Sequence, residues 1–284
     1  MVAKTLYNTA IRVLPLPLSL RLQHLRYTRR LPNLRSPKTF NEKVNWRKLN
    51  DPNPLFEVLA DKVSVKSYVQ ERLGPGWVIP TLWHGAALPP RGRRNWPLPF
   101  VLKANHASGW NDFVRTPEDM DWARIEAEVK TWLRTPWHPH NGEGWYNRFE
   151  RQVLVEPLVG ELGSVPWDYK FFVFSGRVAY VQVDTDRFTG HKRCFYDREW
   201  RKQPFSLHYP FEPRDIPRPG HLEKMVIAAE ELGRDLDFVR IDFYDLEDGP
   251  LFGEITFAPD AGHGRFIPAS WDGRLGALWT LPVT

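Results

Sequence analysis

Residues 239–257 read VRIDFYDLEDGPLFGEITF, two apolar runs hinged on a polar stretch ending in Asp248-Gly249-Pro250, with Arg240, Asp242 and Glu254 set among hydrophobic neighbours. Such runs around a turn signal predict a β-hairpin. Residues two apart in a strand share a face, so Arg240 goes with Asp242 and Glu254 with Thr256. A three-residue loop, Glu247 to Gly249, pairs Leu246 with Pro250, which sets Asp242 opposite Glu254 and Arg240 opposite Thr256. A loop one residue longer or shorter sends the set to different faces. Facing carboxylates repel and call for a cation. Mg²⁺ bridging nucleotide phosphates is one candidate, since it takes oxygen ligands and few carboxylates. By spacing alone, an ordinary half-exposed hairpin with a polar face explains the same charges.

Upstream, successive strand candidates follow Gln152: QVLVEPLV, DYKFFVFSG, RVAYVQVDTDRF and KRCFYD, with Ser175-Gly176 as a tight turn. A helix then runs from His221 to Leu232. The earlier half is mixed. WVIPTLWHG and PFVLKANHA read as short strands around the loop Pro89 to Pro99, with another strand at Asp112 to Arg115 and a helix from Glu118 to Arg134. SPKTFNEKVNWRK predicts a helix to about Leu49, capped by Ser36 with Pro37 at its first position. PLFEVLADKVSVKSYVQERLG predicts one helix closed by Gly74. Residues 4–29 read as two short amphipathic helices around Pro15 and Pro17, a surface appendage. The expected class is therefore α+β, with two subdomains meeting at a cleft.

Among 284 residues there is one cysteine, Cys194, so no disulfide framework is possible within the chain, and no Cys/His cluster has zinc spacing. No apolar run is long enough to span a bilayer and no secretory signal is visible, so a cytoplasmic protein is expected. The net charge of +5 is uneven: Met1 to Asn50 holds eleven Lys/Arg against one acidic residue, Glu42. That bias points to a polyanion or a membrane surface at the N-terminus, with peripheral attachment to the inner face of the membrane as one option; a merely solvated basic face is the other. Nucleic acid is not expected, because no recognition-module pattern accompanies the charge. Several of the thirteen tryptophans lie between Trp110 and Trp145, where packing accounts for most and sugar stacking for a few.

Two further segments have the composition of a nucleotide site. VLKANHASGWNDFV ends an apolar strand in Lys103 and turns through Ser108 and Gly109, whose backbone N–H groups can meet a phosphate. VLVEPLVG leads into Glu156, and DYKFF carries Asp168 and Lys170 on one strand face; acids suit ribose hydroxyls and an apolar slot suits a base. Each alone is commonplace.

Taken in order, SPKTFNEKVNW, ADKVSVKSYV, FVLKANHASGWND, VLVEPL, DYKFFVFSG, FYD with Trp200, and RIDFY with GEITFAPDAG resemble the ATP-grasp family similar to the teichuronopeptide-biosynthesis protein TupA, over about Ser36 to Asp272. The last segment also resembles D-alanine–D-alanine ligases. The resemblance implies an ATP-grasp fold with short N-terminal helices in place of a larger preceding domain. It divides the chain into a basic helical region (1–60), a small subdomain with the lysine strand and flexible loop (61–150), and a large subdomain with the metal-binding strands (151–284). It implies ATP and Mg²⁺ as cofactors, with Asp242, Glu254 and Thr256 as metal ligands, Thr256 standing where asparagine is usual. It makes Arg240 the stabiliser of transferred phosphate, with Arg193 or Lys192 also facing phosphate, and the loop Pro259 to Gly262 the substrate loop. Lys62, Lys103, Ser108, Gly109, Glu156, Asp168 and Lys170 become nucleotide contacts. The implied activity is ATP-dependent ligation of a carboxylate to an amine through an acyl phosphate, the carboxylate belonging to a uronic-acid-containing polysaccharide or precursor. The alternatives are an ATP-grasp kinase of a small molecule or sugar, and a non-catalytic nucleotide- or glycan-binding module.

Overall fold

A computed structural model describes residues 2–160, 167–186 and 189–282. Pro15 and Pro17 divide the N-terminus into α1 (Val2–Val13) and α2 (Leu16–Thr28). The pair is more firmly seated than an appendage. Ser19, Leu20, Gln23 and His24 are buried, and Gln23 Nε2 donates to the His140 carbonyl at 2.9 Å.

Next comes α3 (Phe40–Asn50), which is capped by Thr39 and not by Ser36. Thr39 Oγ1 accepts the Glu42 N–H at 3.3 Å while the Glu42 carboxylate accepts the Thr39 N–H at 3.0 Å. This reciprocal box satisfies two helix-start donors at once, which Ser36 cannot match. The single helix expected over 54–74 is broken into α4 (Leu55–Ala60) and α5 (Val65–Leu73). Asp61 causes the break: its Oδ1 accepts the Val63 N–H at 3.0 Å and its Oδ2 the Ser64 hydroxyl at 2.6 Å, a local turn that competes with helix.

Then follow β1 (Trp83–Gly85), β2 (Phe100–Ala104), β3 (Asn111–Val114), α6 (Trp122–Arg134) and β4 (Val153–Pro157). These strands form an antiparallel sheet in the order β1-β4-β2-β3. Phe100, Leu102, Val114, Val153 and Val155 meet Ile125 and Val129 of α6 in a small core of their own. β4 starts beyond the expected boundary at residue 150, yet it lies inside this sheet.

The second half comprises β5 (Asp168–Phe174), β6 (Arg177–Thr185), β7 (Lys192–Asp197), β8 (Lys202–Gln203), β9 (Ser206–Leu207), α7 (Leu222–Gly233), β10 (Phe238–Leu246), β11 (Gly249–Thr256), β12 (Phe266–Ile267) and α8 (Ser270–Ala277). Its main sheet is antiparallel, ordered β11-β10-β5-β6-β7-β8, and β9 pairs with β12 separately. Ser175 and Gly176 both take positive φ, 47° and 74°, as a two-residue hairpin turn requires. The end of RVAYVQVDTDRF, residues 187–188, lies outside the described residues.

One sheet face takes α7, so closely that a Cβ on Gly233 would stand 2.8 Å from Val173 Cγ1. The other face carries Phe172 and Phe238 against Phe40 of α3, with centroids 6.0 and 5.0 Å apart. Buried Arg47 reinforces that contact by donating to the Phe238 and Phe257 carbonyls at 2.9 and 3.2 Å. The segment between α5 and β1 is tied to the large sheet where the Phe252 N–H of β11 donates to the Trp77 carbonyl at 2.6 Å. Among the described residues no helix is long and apolar enough to cross a membrane.

Candidate active site

The β10–β11 hairpin departs from expectation twice, and the departures cancel. Leu246 pairs with Gly249 instead of Pro250, one residue tighter than expected, which by itself would turn Glu254 away. Gly253 then bulges out, and Asp242 faces Glu254 and Arg240 faces Thr256 after all. The bulge suits glycine, since a Cβ there would approach the Asp242 carbonyl oxygen to 3.1 Å.

Arg240 lies along Asp242, with Nε 2.7 Å from Oδ1 and Nη2 2.7 Å from Oδ2. The same Nη2 donates to Glu254 Oε1 at 2.9 Å and to the Thr256 hydroxyl at 3.1 Å, and that hydroxyl donates to Glu254 Oε1 at 3.2 Å. Lys170, opposite Asp242 in register on β5, brings Nζ to 3.2 Å from Asp242 Oδ2 and pairs with Asp168. The facing carboxylates are therefore bridged by one guanidinium. Burial opposes the charge on Arg240, but Asp242 and Glu254 outweigh it and hold its pKa above the ordinary arginine value. Burial likewise pushes the Glu254 carboxyl up, and Arg240, Lys62 and Lys170 together bring it below its ordinary value. It is ionised at neutral pH.

The polar row continues across the sheet. Gln182 faces Lys170 in register, and its Nε2 donates to Asp184 Oδ2 at 3.0 Å. Asp184 faces Arg193, which donates to Asp184 Oδ1 at 2.6 Å, to the Leu207 carbonyl at 3.0 Å and to Asp260 Oδ2 at 3.1 Å. Lys192 pairs with Thr185 and so points to the opposite face, where Thr185 binds Glu212. Of the two expected cations, the fold brings Arg193 to the site face and takes Lys192 away.

Asp260 and Ala261 sit at φ 46° and 50°, left-handed values unusual outside glycine. One stripe of α3 holds them. Lys48 Nζ donates to the Ala261 carbonyl at 2.6 Å, Asn45 Nδ2 to Gly262 at 2.8 Å, and Asn41 Nδ2 to Gly264 at 2.8 Å. Gly262, φ 65°, is packed so tightly that a Cβ would meet Val44 Cγ1 at 2.7 Å.

Across from this row lie the two central strands of the smaller sheet, β2 and β4, with Lys62 between the two sides. Lys103 on β2 donates to Glu156 Oε2 at 2.6 Å, and Lys66 of α5 binds the other oxygen. Burial would raise the Glu156 carboxyl, but the two ammonium groups pull it below its ordinary value. Lys62 donates to the Ala107 carbonyl at 2.6 Å. Burial lowers its pKa, and the charges it feels come from both sides: Glu254 from the large sheet, Lys103 and Glu156 from the small one. Ser108 and Gly109, the latter at φ 74°, form the exposed turn between β2 and β3.

Lys66, Asp184, Asp260, Asn41, Asn45 and Lys48 were not singled out from the sequence. A signal existed for several. Asp184 alternates with valines at strand period, and Asn41, Asn45 and Lys48 fall at the four- and three-residue spacing of one helix face. Nothing local marks the bulge at Gly253.

Asp242 and Glu254 offer hard oxygen donors side by side, and the Glu254 side chain is 36% exposed. Among the described residues there is no group of three or more His, Cys, Asp or Glu suited to a metal. The pair fits Mg²⁺, which is commonly held by one or two carboxylates and completed by phosphate oxygens and water. A surface groove of about 480 Å³ beside α6, lined by Leu88, Arg94, Glu126 and Val129, contains none of these residues.

The family described as TupA-like ATPgrasp matches residues 42–280. The chain belongs to the TupA-like ATP-grasp family. Its fold is accordingly the ATP-grasp fold, α+β with antiparallel sheets. Among solved structures it resembles D-alanine–D-alanine ligase from Bacillus anthracis complexed with ATP, at 13% identity and a TM-score of 0.44, covering 70% of this chain and 55% of that one. It also resembles the ATP-grasp ligase PsnB complexed with a phosphomimetic variant of its minimal precursor, Mg and ADP, at 12% identity and a TM-score of 0.47, covering 84% and 65%. A third is D-alanine–D-alanine ligase from Helicobacter pylori, at 15% identity and a TM-score of 0.42, covering 79% and 62%. The chain spans less than two thirds of the length of each. No curated protein matches it.

Proposed function

We propose that this protein is an ATP-dependent carboxylate–amine ligase. A carboxylate oxygen attacks the γ-phosphorus of ATP and ADP leaves. An amine nitrogen then attacks the acyl phosphate carbon, phosphate departs and the nitrogen loses a proton, leaving an amide. The observation that carries this reading is the Arg240 bridge between Asp242 and Glu254, facing the Lys103–Glu156–Lys66 cluster of the other sheet.

Asp242 and Glu254 would hold Mg²⁺, with the Thr256 hydroxyl beside them; when bound, the ion neutralises phosphate charge and orients the γ-phosphate for in-line transfer. Arg240 is placed to meet charge developing on the transferred phosphoryl group, and Lys170 pairs with Asp242 from the neighbouring strand. Lys62, Lys103 and Lys66 would contact ATP, with the Ser108–Gly109 turn closing over its phosphates. Glu156 sets the lysines by holding two of them at once. Asp168 stays in the nucleotide shell through Lys170. Arg193, fixed by Asp184, positions Asp260 of the substrate loop. No side-chain nucleophile is needed; positioning and charge stabilisation are the protein's work.

For substrates we propose a uronic-acid-bearing glycan or its precursor as the carboxylate and an amino acid or amine as the acceptor, joined in the cytoplasm where ATP is available. The small subdomain would then run from about residue 61 to the end of β4. The test is an ADP-release screen of acidic sugars against amines, with mass spectrometry of the products. An amide product supports the reading. A stoichiometric phosphoester without amide replaces it with a kinase, and absence of ADP release with every pair replaces it with a binding module.

A further inference from the structure

The N-terminal helices carry a face that the fold leaves unused. In α2, Ser19, Leu20, Gln23 and His24 are buried, while Leu18, Arg21 and Leu25 fall at helical spacing along the opposite stripe, facing solvent, with exposed Arg29 at the C-cap just beyond them. Leu18 is 47% and Leu25 39% exposed; Val13 at 75% and Leu31 at 72% flank the helix at its two ends, while Tyr27, 45% exposed, lies on the other side of the helix against His263. Of the twelve large hydrophobic side chains that are exposed among the described residues, these five lie within residues 13–31. Scattered exposed leucines need no explanation, but Leu18 and Leu25 one above the other on an outward stripe, followed closely by Leu31, do.

The charges on that stripe are equally unused. Arg12, Arg21, Arg29, Arg30 and Arg35 form no ion pair with a carboxylate among the described residues; Arg93 and Arg115 elsewhere are likewise without one, whereas Arg91, Arg124, Arg198 and Arg214 are paired, so what sets the N-terminal group apart is five such arginines in one short region. No aspartate or glutamate occurs before Glu42, and Glu42 is occupied by the backbone of Asn33, Lys38 and Thr39. At the end of the stripe, a groove of about 250 Å³ is lined by Arg29, Arg30 and Arg265 with Thr28, Asn41 and Asp272.

Leucine alternating with unpaired arginine on one outward helix face fits a layer that is apolar inside and anionic at its surface. We propose that α1, α2 and residues 29–35 form the face by which this protein docks on an anionic bilayer, Leu18, Leu25 and Leu31 entering the headgroup boundary while Arg21, Arg29 and Arg30 meet lipid phosphates. A soluble acidic glycan would engage the arginines but gives no role to the leucines, so the bilayer accounts for both halves of the pattern. The surface lies outside the nucleotide cleft, and the proposal stands or falls independently of the ligase reading.

The experiment is co-sedimentation of the full chain, without nucleotide, with vesicles of phosphatidylcholine alone or mixed with phosphatidylglycerol. Pelleting is expected with the anionic vesicles only, weakening with added salt as charge attraction is screened. Leu18→Ser/Leu25→Ser/Leu31→Ser alters only exposed side chains and should weaken partitioning by about tenfold or more with unchanged circular dichroism. Arg21→Gln/Arg29→Gln/Arg30→Gln provides a second variant with the leucines intact and should also release the protein. Failure of the wild type to pellet with phosphatidylglycerol overturns the proposal. So does wild-type pelleting by the serine variant, or tight binding to soluble polygalacturonate that only the arginine changes abolish, which assigns the face to an acidic glycan.

Discussion

The two charged clusters that face each other in this fold are built with opposite imbalance. On the smaller sheet one carboxylate, Glu156, is held by Lys103 and Lys66, with Lys62 close by. On the larger sheet three carboxylates, Asp168, Asp242 and Glu254, share Lys170 and Arg240. Among these named groups the first cluster has more cations than anions and the second the reverse. Phosphates suit the first and a divalent cation the second, so a magnesium-bound nucleotide complements both at once. Neither cluster alone makes that distinction, since buried ion pairs of either kind also occur as plain structure.

The comparison breaks first at Glu254. Glu254→Gln keeps the shape and removes the charge that makes the large-sheet cluster anionic. We expect ATP turnover to fall about a hundredfold or more, with the thermal midpoint close to wild type because the side chain is partly exposed. Steady-state ADP release and a thermal melt check both halves. Full activity in this variant would remove the metal assignment.

On the other sheet, Lys103→Met leaves Glu156 with Lys66 and tests whether the extra cation serves phosphate. Loss of a charge-assisted contact predicts nucleotide affinity weaker by about tenfold, read by titration calorimetry at constant salt. Unchanged affinity would mean that Lys103 only neutralises Glu156. The same substitution sharpens a pH effect at Glu156, whose carboxyl is held low by its lysines. Stability from that group is fully present above its unfolded value and is lost as pH falls through the lower folded one. With one lysine removed the folded value moves up toward the unfolded one, so the loss should be smaller and complete at higher pH.

How far these clusters were legible in the sequence follows from what creates them. Strand alternation placed Arg240, Asp242, Glu254 and Thr256 together, because a period of two needs no knowledge of the rest of the chain. The route was wrong in detail: the tighter turn and the Gly253 bulge compensate, and a bulge depends on the strand's fit to its neighbours, not on its own pattern. The break at Asp61 was hidden because its side-chain turn competes with an otherwise good helical run. The Thr39–Glu42 box is readable as T-x-x-E, but Ser36-Pro37 three residues earlier carries a competing helix-start signal that the chain does not use. Lys66, Asp184 and Asp260 acquire their partners through contacts between distant segments, which no local period encodes. Arg193 and Lys192 could be told apart only once the register of β7 against β6 was known.

The α3 stripe gives the third way to test the comparison, because it controls the loop that delivers Asp260 to Arg193 on the large-sheet side alone. Asn45→Ala strips the Gly262 carbonyl of its buried donor and should cost about 1–3 kcal/mol in urea unfolding. Nucleotide affinity, set largely across the cleft, should stay within about twofold, while the Michaelis constant for the acid substrate rises. An equal loss in both would mean the loop and the nucleotide cluster are one unit.

The smallest expected effect lies at Lys48, the end of the same stripe. Burial lowers its ammonium pKa to about 8, with Glu143 acting in the opposite direction. Below about 8 the lysine is charged in folded and unfolded chains alike, and the cost of burying that charge is fully present. Between about 8 and the ordinary lysine value of 10.5, the unfolded chain keeps a proton that the folded one has shed, so stability rises with pH. Lys43, Lys62 and Lys66 are shifted the same way, so the wild-type curve alone cannot isolate Lys48. Its difference from Lys48→Met can. The variant keeps most of the volume, loses the bond to Ala261 at every pH, and should fall further behind wild type as pH rises from about 8 to about 10 in urea midpoints. A constant gap would mean that Lys48 stays charged in the fold, held by Glu143 more strongly than burial opposes it.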